Sequence, residues 1–132
     1  LNAFLRGDPT KENEKEIFIK YSNLISKALS RNKINEDIVV FRTLDKDYFS
    51  NVQVGDLFSA NQFISASCLR IGPFSKGVNY KIYVKKGTTG CAFIDNLNPY
   101  PGQYEVLFDK DIIFKLLCRK GNVVEMEAYF NE

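Results

Sequence analysis

The chain contains no histidine and no tryptophan, and it has a single methionine, three cysteines and four prolines. The missing histidine is the most restrictive of these. It removes Ser-His-Asp and Cys-His nucleophile pairs, histidine-based zinc sites and every imidazole general base, so any catalysis runs on carboxylates, guanidiniums, hydroxyls and amides. Cys68, Cys91 and Cys118 are odd in number, far apart and set in apolar segments, which predicts small core residues with neither a disulfide framework nor a zinc site. A net charge of +2 is too small to argue for nucleic acid or a membrane surface. No apolar run approaches the ~18 residues a bilayer span requires, and none of the given residues reads as a signal peptide, an expectation that leaves open an export signal lost ahead of Leu1. What remains is ordinary globular composition, 45% hydrophobic and 26% charged over 132 residues, which predicts one domain over 1–132. The start at Leu1, without Met, reads as an excised or processed piece of a longer chain.

Periodicity changes once along the chain. Leu1 to Gly7 resembles the last turns of a helix with a glycine stop, and Asn2 and Arg6, four apart, share a face of it. Asp8-Pro9 then offers a cap and a first-turn proline. From there to about Arg31, Ile17, Phe18, Tyr21, Leu24, Ile25, Ala28 and Leu29 follow the spacing of an amphipathic surface helix. From Ile38 the pattern is that of strands. Ile38 to Thr43 is an apolar run broken by Arg42, which predicts a buried strand, and 45–58 is a polar loop. Gln62 to Cys68, Asn79 to Lys85, Gly90 to Asp95 and Tyr104 to Phe108 follow as strands. A final hairpin turns at Lys120-Gly121-Asn122, with Ile112, Phe114, Leu116, Cys118, Val124, Met126, Ala128 and Phe130 facing in. One or two N-terminal helices before six or seven strands predict an α+β fold with two packed, antiparallel-rich sheets, without repeats or a second domain.

Several residues could carry chemistry. Gln103 and Glu105 lie two apart where a Pro101-Gly102 turn becomes a strand, so an amide and a carboxylate point the same way. Arg42 within an apolar run needs either a structural ion pair or an anionic ligand for its planar fork. Ser65 and Ser67 either satisfy nearby backbone or orient a carboxylate on an adjacent strand. Phe74, in a Gly-Pro loop beside Lys76, either stacks on a flat ring or pins the loop.

In combination these residues form a pattern. Phe41-Arg42, then Phe63-Ile64-Ser65-Ala66-Ser67, then Gln103-Tyr104-Glu105, in that order, resembles the Arg–Ser–Glu class of mono-ADP-ribosyltransferases. The loop from Tyr100 to Glu105 is most similar to the bacterial exoenzymes that modify Rho-type GTPases, which carry an aromatic three residues before the glutamine. The resemblance covers nearly the whole chain, since Leu1 to Gly7 looks like the end of that family's NAD-contacting helix. It departs at Ala66, where the family usually has threonine, and at Lys76, where the exoenzymes tend to have an arginine.

The resemblance implies NAD as a consumed substrate, no metal, and side NAD glycohydrolase activity. It implies Glu105 as the carboxylate at the ribose, Ser65 holding Glu105, and Arg42, Arg6, Asn2 and Lys76 at the dinucleotide. Phe74 would stack on nicotinamide, Gln103 would recognise the acceptor and Tyr100 would press on the target protein. The implied partner is a host small GTPase modified on an asparagine, by a monomeric bacterial protein that is secreted and acts in the host cytosol. Two alternatives accompany it: the same chemistry on an arginine of a cytoskeletal protein, and an NAD-binding interaction domain without turnover.

Overall fold

The structure is a computed structural model that describes residues 12–68, 77–94 and 105–129. Among these residues one helix, α1 (Glu12–Ser30), precedes eight strands: β1 (Ile38–Leu44), β2 (Leu57–Ser59), β3 (Ile64–Ser67), β4 (Val78–Val84), β5 (Cys91–Phe93), β6 (Glu105–Phe108), β7 (Ile113–Lys120) and β8 (Val123–Tyr129). The α+β class read from the sequence is therefore present. The predicted helical end at 1–7 lies outside the described residues.

α1 contains neither Gly nor Pro, and Lys27 in its last turn suits the negative end of the helix dipole. Its inward side is Ser22 and Leu29, both buried, with Ile25 packing beside Leu29, Phe63, Ala92 and Leu107 in a small core of its own. The Ser26 hydroxyl donates to Asp109 Oδ1 at 2.6 Å and accepts from Lys110 Nζ at 3.1 Å, which ties the helix to the turn between β6 and β7. Part of the predicted apolar face is turned outward. Ile17, Tyr21 and Leu24 are each about half exposed, because they sit a quarter turn or more from the stripe that meets the sheet.

The strands form one hydrogen-bonded order, β2-β7-β8-β4-β1-β3-β6-β5, and not two separate sheets as the sequence predicts. All neighbours are antiparallel except β4 and β8, which run parallel. The order folds over on itself. β6 and β7 stand five places apart in it, about 24 Å along a flat sheet. Yet the rings of Phe108 on β6 and Phe114 on β7 meet edge-on at 5.5 Å. A short turn holds them together, and the sheet wraps a single core in which Val40, Tyr80, Ile82, Val106, Phe108, Phe114, Leu116 and Met126 are almost wholly buried. Truncating a ring such as Phe108 there costs about 3–5 kcal/mol.

Three local findings differ from the sequence reading. β2, a three-residue strand paired with β7, overlaps the end of the stretch predicted as loop. The register of β7 against β8 shifts between Leu116 and Cys118. That bulge ends the inward alternation at Leu116, so Cys118 is half-buried and Arg119 pairs with the buried Val124. Of the three cysteines, all free, Cys91 alone is fully buried. At the entry to β4, Gly77 has φ 110°, and a Cβ there would overlap the Leu44 carbonyl oxygen, so this junction with β1 admits only glycine.

Candidate active site

β1, β3 and β6 are adjacent in the sheet, so Arg42, the two serines and Glu105 occupy three neighbouring strands although 63 positions separate the first from the last. The register is specific. Ser67 stands opposite Glu105, Ser65 opposite Leu107, and Phe41 opposite Ser67. Cross-strand partners share a face, so the carboxylate of Glu105 and both hydroxyls lie on one side of the sheet. Ser67 is the direct neighbour of Glu105 and Ser65 the diagonal one. Glu105 is half-buried at the first residue of β6, and its main-chain oxygen accepts from Ile94 N at 3.0 Å. Among the described residues no cation pairs with its carboxylate.

β1 and β3 touch at the single pair Phe41–Ser67 and then part. Arg42 lies at this gap. The sequence predicts a buried guanidinium, but Arg42 is exposed, because the splay removes the cover that a full neighbouring strand would provide. Its Nη1 donates to the Ser65 carbonyl at 2.7 Å. No carboxylate among the described residues pairs with it, so the structural ion pair considered above is not seen there and the rest of its planar fork is open to a ligand. By alternation Arg42 leaves β1 on the side of Val40 and Leu44, opposite to that of Glu105, and its charge reaches the seam from the core face.

Beside Arg42 a cavity of about 500 Å3 opens into the fold, walled by Leu44, Tyr48, Phe49, Phe63 and Tyr80 with the Gln62 amide among them. Its size is that of a small-molecule site, and its wall mixes aromatic and aliphatic side chains with polar groups. Neither the cavity nor the group that braces it was visible in the sequence. Asp47, in the loop after β1, accepts from Phe49 N at 2.9 Å, from the Tyr80 hydroxyl at 2.9 Å and from Arg119 Nε at 3.0 Å. Burial pushes the Asp47 carboxyl up, but the hydrogen bonds from Phe49, Tyr80 and Arg119, together with the Arg119 charge, outweigh it and leave the group below its ordinary value of 3.8. Burial, then the bond to Asp47, pushes the Tyr80 hydroxyl well above the usual tyrosine range. The sequence carried no clear signal of it, since Arg119 beside Lys120 reads as part of the polar turn that ends the strand.

Asn2, Arg6, Phe74, Lys76, Tyr100 and Gln103 lie outside the described residues. Among the described residues no group of His, Cys, Asp or Glu could hold a metal ion, and no helix is long and apolar enough to cross a membrane.

Comparison with known proteins adds an independent line. The family model described as ADP-ribosyltransferase exoenzyme matches residues 1–128. No curated protein sequence matches. Among solved structures, C3larvin toxin, an ADP-ribosyltransferase from Paenibacillus larvae, superposes with a TM-score of 0.70 at 21% identity, over 97% of this chain and 79% of that one. C3stau2 from S. aureus, solved with NAD, gives 0.74 at 19% identity, over 99% and 80%. BECa, the ADP-ribosylating toxin of a C. perfringens binary enterotoxin, solved with NADH, gives 0.75 at 22% identity, over 97% and 39%. At these identities the superpositions establish the fold.

Proposed function

Because the chain belongs to the ADP-ribosyltransferase exoenzyme family, whose model spans residues 1–128, we propose that it transfers ADP-ribose from NAD to an asparagine of a Rho-type GTPase and releases nicotinamide. The observation that carries the site assignment is the convergence at one seam: Glu105 beside Ser67, with Arg42 bound to the Ser65 carbonyl.

Breaking the nicotinamide–ribose bond develops positive charge on the sugar, and a carboxylate fixed close to it lowers that barrier. Glu105 has the chemistry for this role: a half-buried carboxylate at the start of a strand, flanked on its own face by two hydroxyls. Arg42 suits the pyrophosphate, since a guanidinium fork binds phosphate oxygens in pairs. The cavity next to it, with aromatic rings and polar groups in its wall, would take one of the dinucleotide's rings. Asn2, Arg6 and Lys76 would add contacts to the phosphates and ribose, and Phe74 would stack on nicotinamide. Gln103, two residues before Glu105, would recognise the acceptor, and its neutral amide matches an asparagine better than a guanidinium. Tyr100 would press on the acceptor protein. Three free thiols agree with work in a reducing host cytosol after secretion from a bacterium.

Incubating the protein with biotinylated NAD in a host-cell lysate tests this directly. The expected result is one labelled band near the mass of a small GTPase, with the modification on asparagine by mass spectrometry. Label on an arginine would replace the acceptor assignment, and no label together with intact NAD would end the transferase reading. Gln103→Ala is expected to lose protein labelling and keep NAD hydrolysis; loss of both together would show that Gln103 acts on NAD or on the fold.

A further inference from the structure

We infer that Asp47, Tyr80 and Arg119 form a positioning cluster that sets how tightly the cavity beside Arg42 holds its ligand; with NAD as that ligand, this rests on the function proposed above. The three residues come from the loop after β1, from β4 and from β7, separated by 33 and 39 positions. The bulge after Leu116 turns Arg119 toward the loop. Its guanidinium then spans three acceptors: Asp47 Oδ2 at 3.0 Å and the carbonyls of Val52 and Phe49. The Tyr80 hydroxyl donates to Asp47 Oδ1 and accepts from Tyr48 N at 3.0 Å. Main-chain atoms of three loop residues, Tyr48, Phe49 and Val52, are thus fixed by side chains of β4 and β7.

Those bonds act on the wall of the cavity. Tyr48 and Phe49 line it, and so does Tyr80 itself. The Phe49 ring is packed at 4.8 Å from Phe58 and edge-on at 5.7 Å to Tyr80, so its position is set on two sides as well as through its backbone. At its far end the same loop is tied to β7 by Gly55 N to Leu116 O at 2.8 Å and Leu116 N to Asp56 O at 3.1 Å. A loop held this firmly is a preformed wall, and a ligand entering the cavity spares the entropy of ordering it. Arg119 touches no ligand in this arrangement; it acts through Asp47 and the Phe49 carbonyl.

The experiment compares wild type, Arg119→Met, Arg119→Lys and Tyr80→Phe, well below their melting temperatures. It reads NAD dissociation constants, kcat and KM for NAD hydrolysis, and amide hydrogen exchange over residues 45–56. Arg119→Met, which keeps length and loses all three donors, is expected to raise KM and the dissociation constant about tenfold with kcat within about twofold, and to speed exchange in 48–56. Arg119→Lys, able to reach Asp47 but not both carbonyls, should recover part of the affinity. Tyr80→Phe keeps the ring and the Arg119–Asp47 pair, and should raise KM about threefold; it carries the test if Arg119→Met fails to fold. Faster exchange with unchanged KM and dissociation constant would reduce the cluster to a loop fastener and overturn the inference. A fall in kcat alone would also overturn it. Wild-type protein that neither binds nor hydrolyses NAD would overturn the proposed function, and this inference with it; wild-type binding with unaffected variants overturns the inference alone.

Discussion

Arg42 lies within an apolar strand and Arg119 near the end of another, and both reach toward a main-chain carbonyl across a gap between elements. Around Arg119 every line of attraction is closed: one carboxylate, two carbonyls and a tyrosine hydroxyl complete a cluster in which Asp47 and Arg119 side chains are 19% and 29% exposed. Around Arg42 the lines are open. It donates to one carbonyl, no described carboxylate meets it, and across two strands Glu105 has no described cation either. A charge whose partners the fold supplies is a structural charge, and breaking it is costly. Charges of both signs near one seam, without an ion-pair partner among the described residues, are where the ligand proposed above would bind. The difference is invisible in the residue type and appears only when the partners are counted.

The sharpest way to break this comparison is at the open seam. Glu105→Gln is expected to lower NAD hydrolysis and protein transfer by at least ~10²-fold while the melting temperature stays within a few degrees, because no described ion pair is lost. Hydrolysis near the wild-type rate would remove Glu105 from the chemistry. At the closed cluster the expectation inverts. Arg119→Met should cost about 1–3 kcal/mol in urea unfolding, since it leaves Asp47 and two carbonyls short of donors in a partly buried site. Arg42→Ala should cost less than about 1 kcal/mol in the same assay, having a single exposed hydrogen bond to lose, and should raise KM for NAD about tenfold. Equal destabilisation by the two substitutions would erase the distinction.

The smallest effect is the pH dependence of the cluster. The Asp47 carboxyl is held below its ordinary value of 3.8 in the folded state, so its contribution to stability is complete above that value and is lost as pH falls through the lower folded one. Thermal melts between about pH 5 and pH 2 should therefore fall more steeply for wild type than for Arg119→Met, which keeps the Phe49 and Tyr80 hydrogen bonds to Asp47 but has lost the Arg119 bond and charge. Parallel slopes would mean that Asp47 is not the group that titrates.

Much of the architecture is written in the period of the apolar residues. The change from helical spacing at Ile17 to Leu29 to alternation after Ile38 was enough for the α+β class, and most strand positions follow from it. What the periodicity does not carry is how the strands are ordered. Nothing local says that β1 has only one bridge to β3, and that gap is why Arg42 is exposed instead of buried. β2 is only three residues long, so Leu57-Phe58-Ser59 makes no periodic impression beside Gly55 and Asp56. The bulge at Leu117 is also silent, since an extra residue in a strand leaves the composition unchanged while reversing which side chains face in, Cys118 and Arg119 among them. In the site, Glu105 and the two serines could be read because strand alternation fixes which residues share a face. The pairing of Ser67, and not Ser65, directly across from Glu105 could not, because register is a relation between strands.

The parallel pair β4–β8 has a kinetic consequence. It joins residues 79–83 to residues 123–127, and β2 in turn leans on β7, so the middle of the sheet order depends on the β7–β8 hairpin. A chain emerging from the ribosome cannot lay down β4 beside its final neighbour until almost all of the described sequence is available. Completion of the sheet therefore waits until the β7–β8 hairpin has been made.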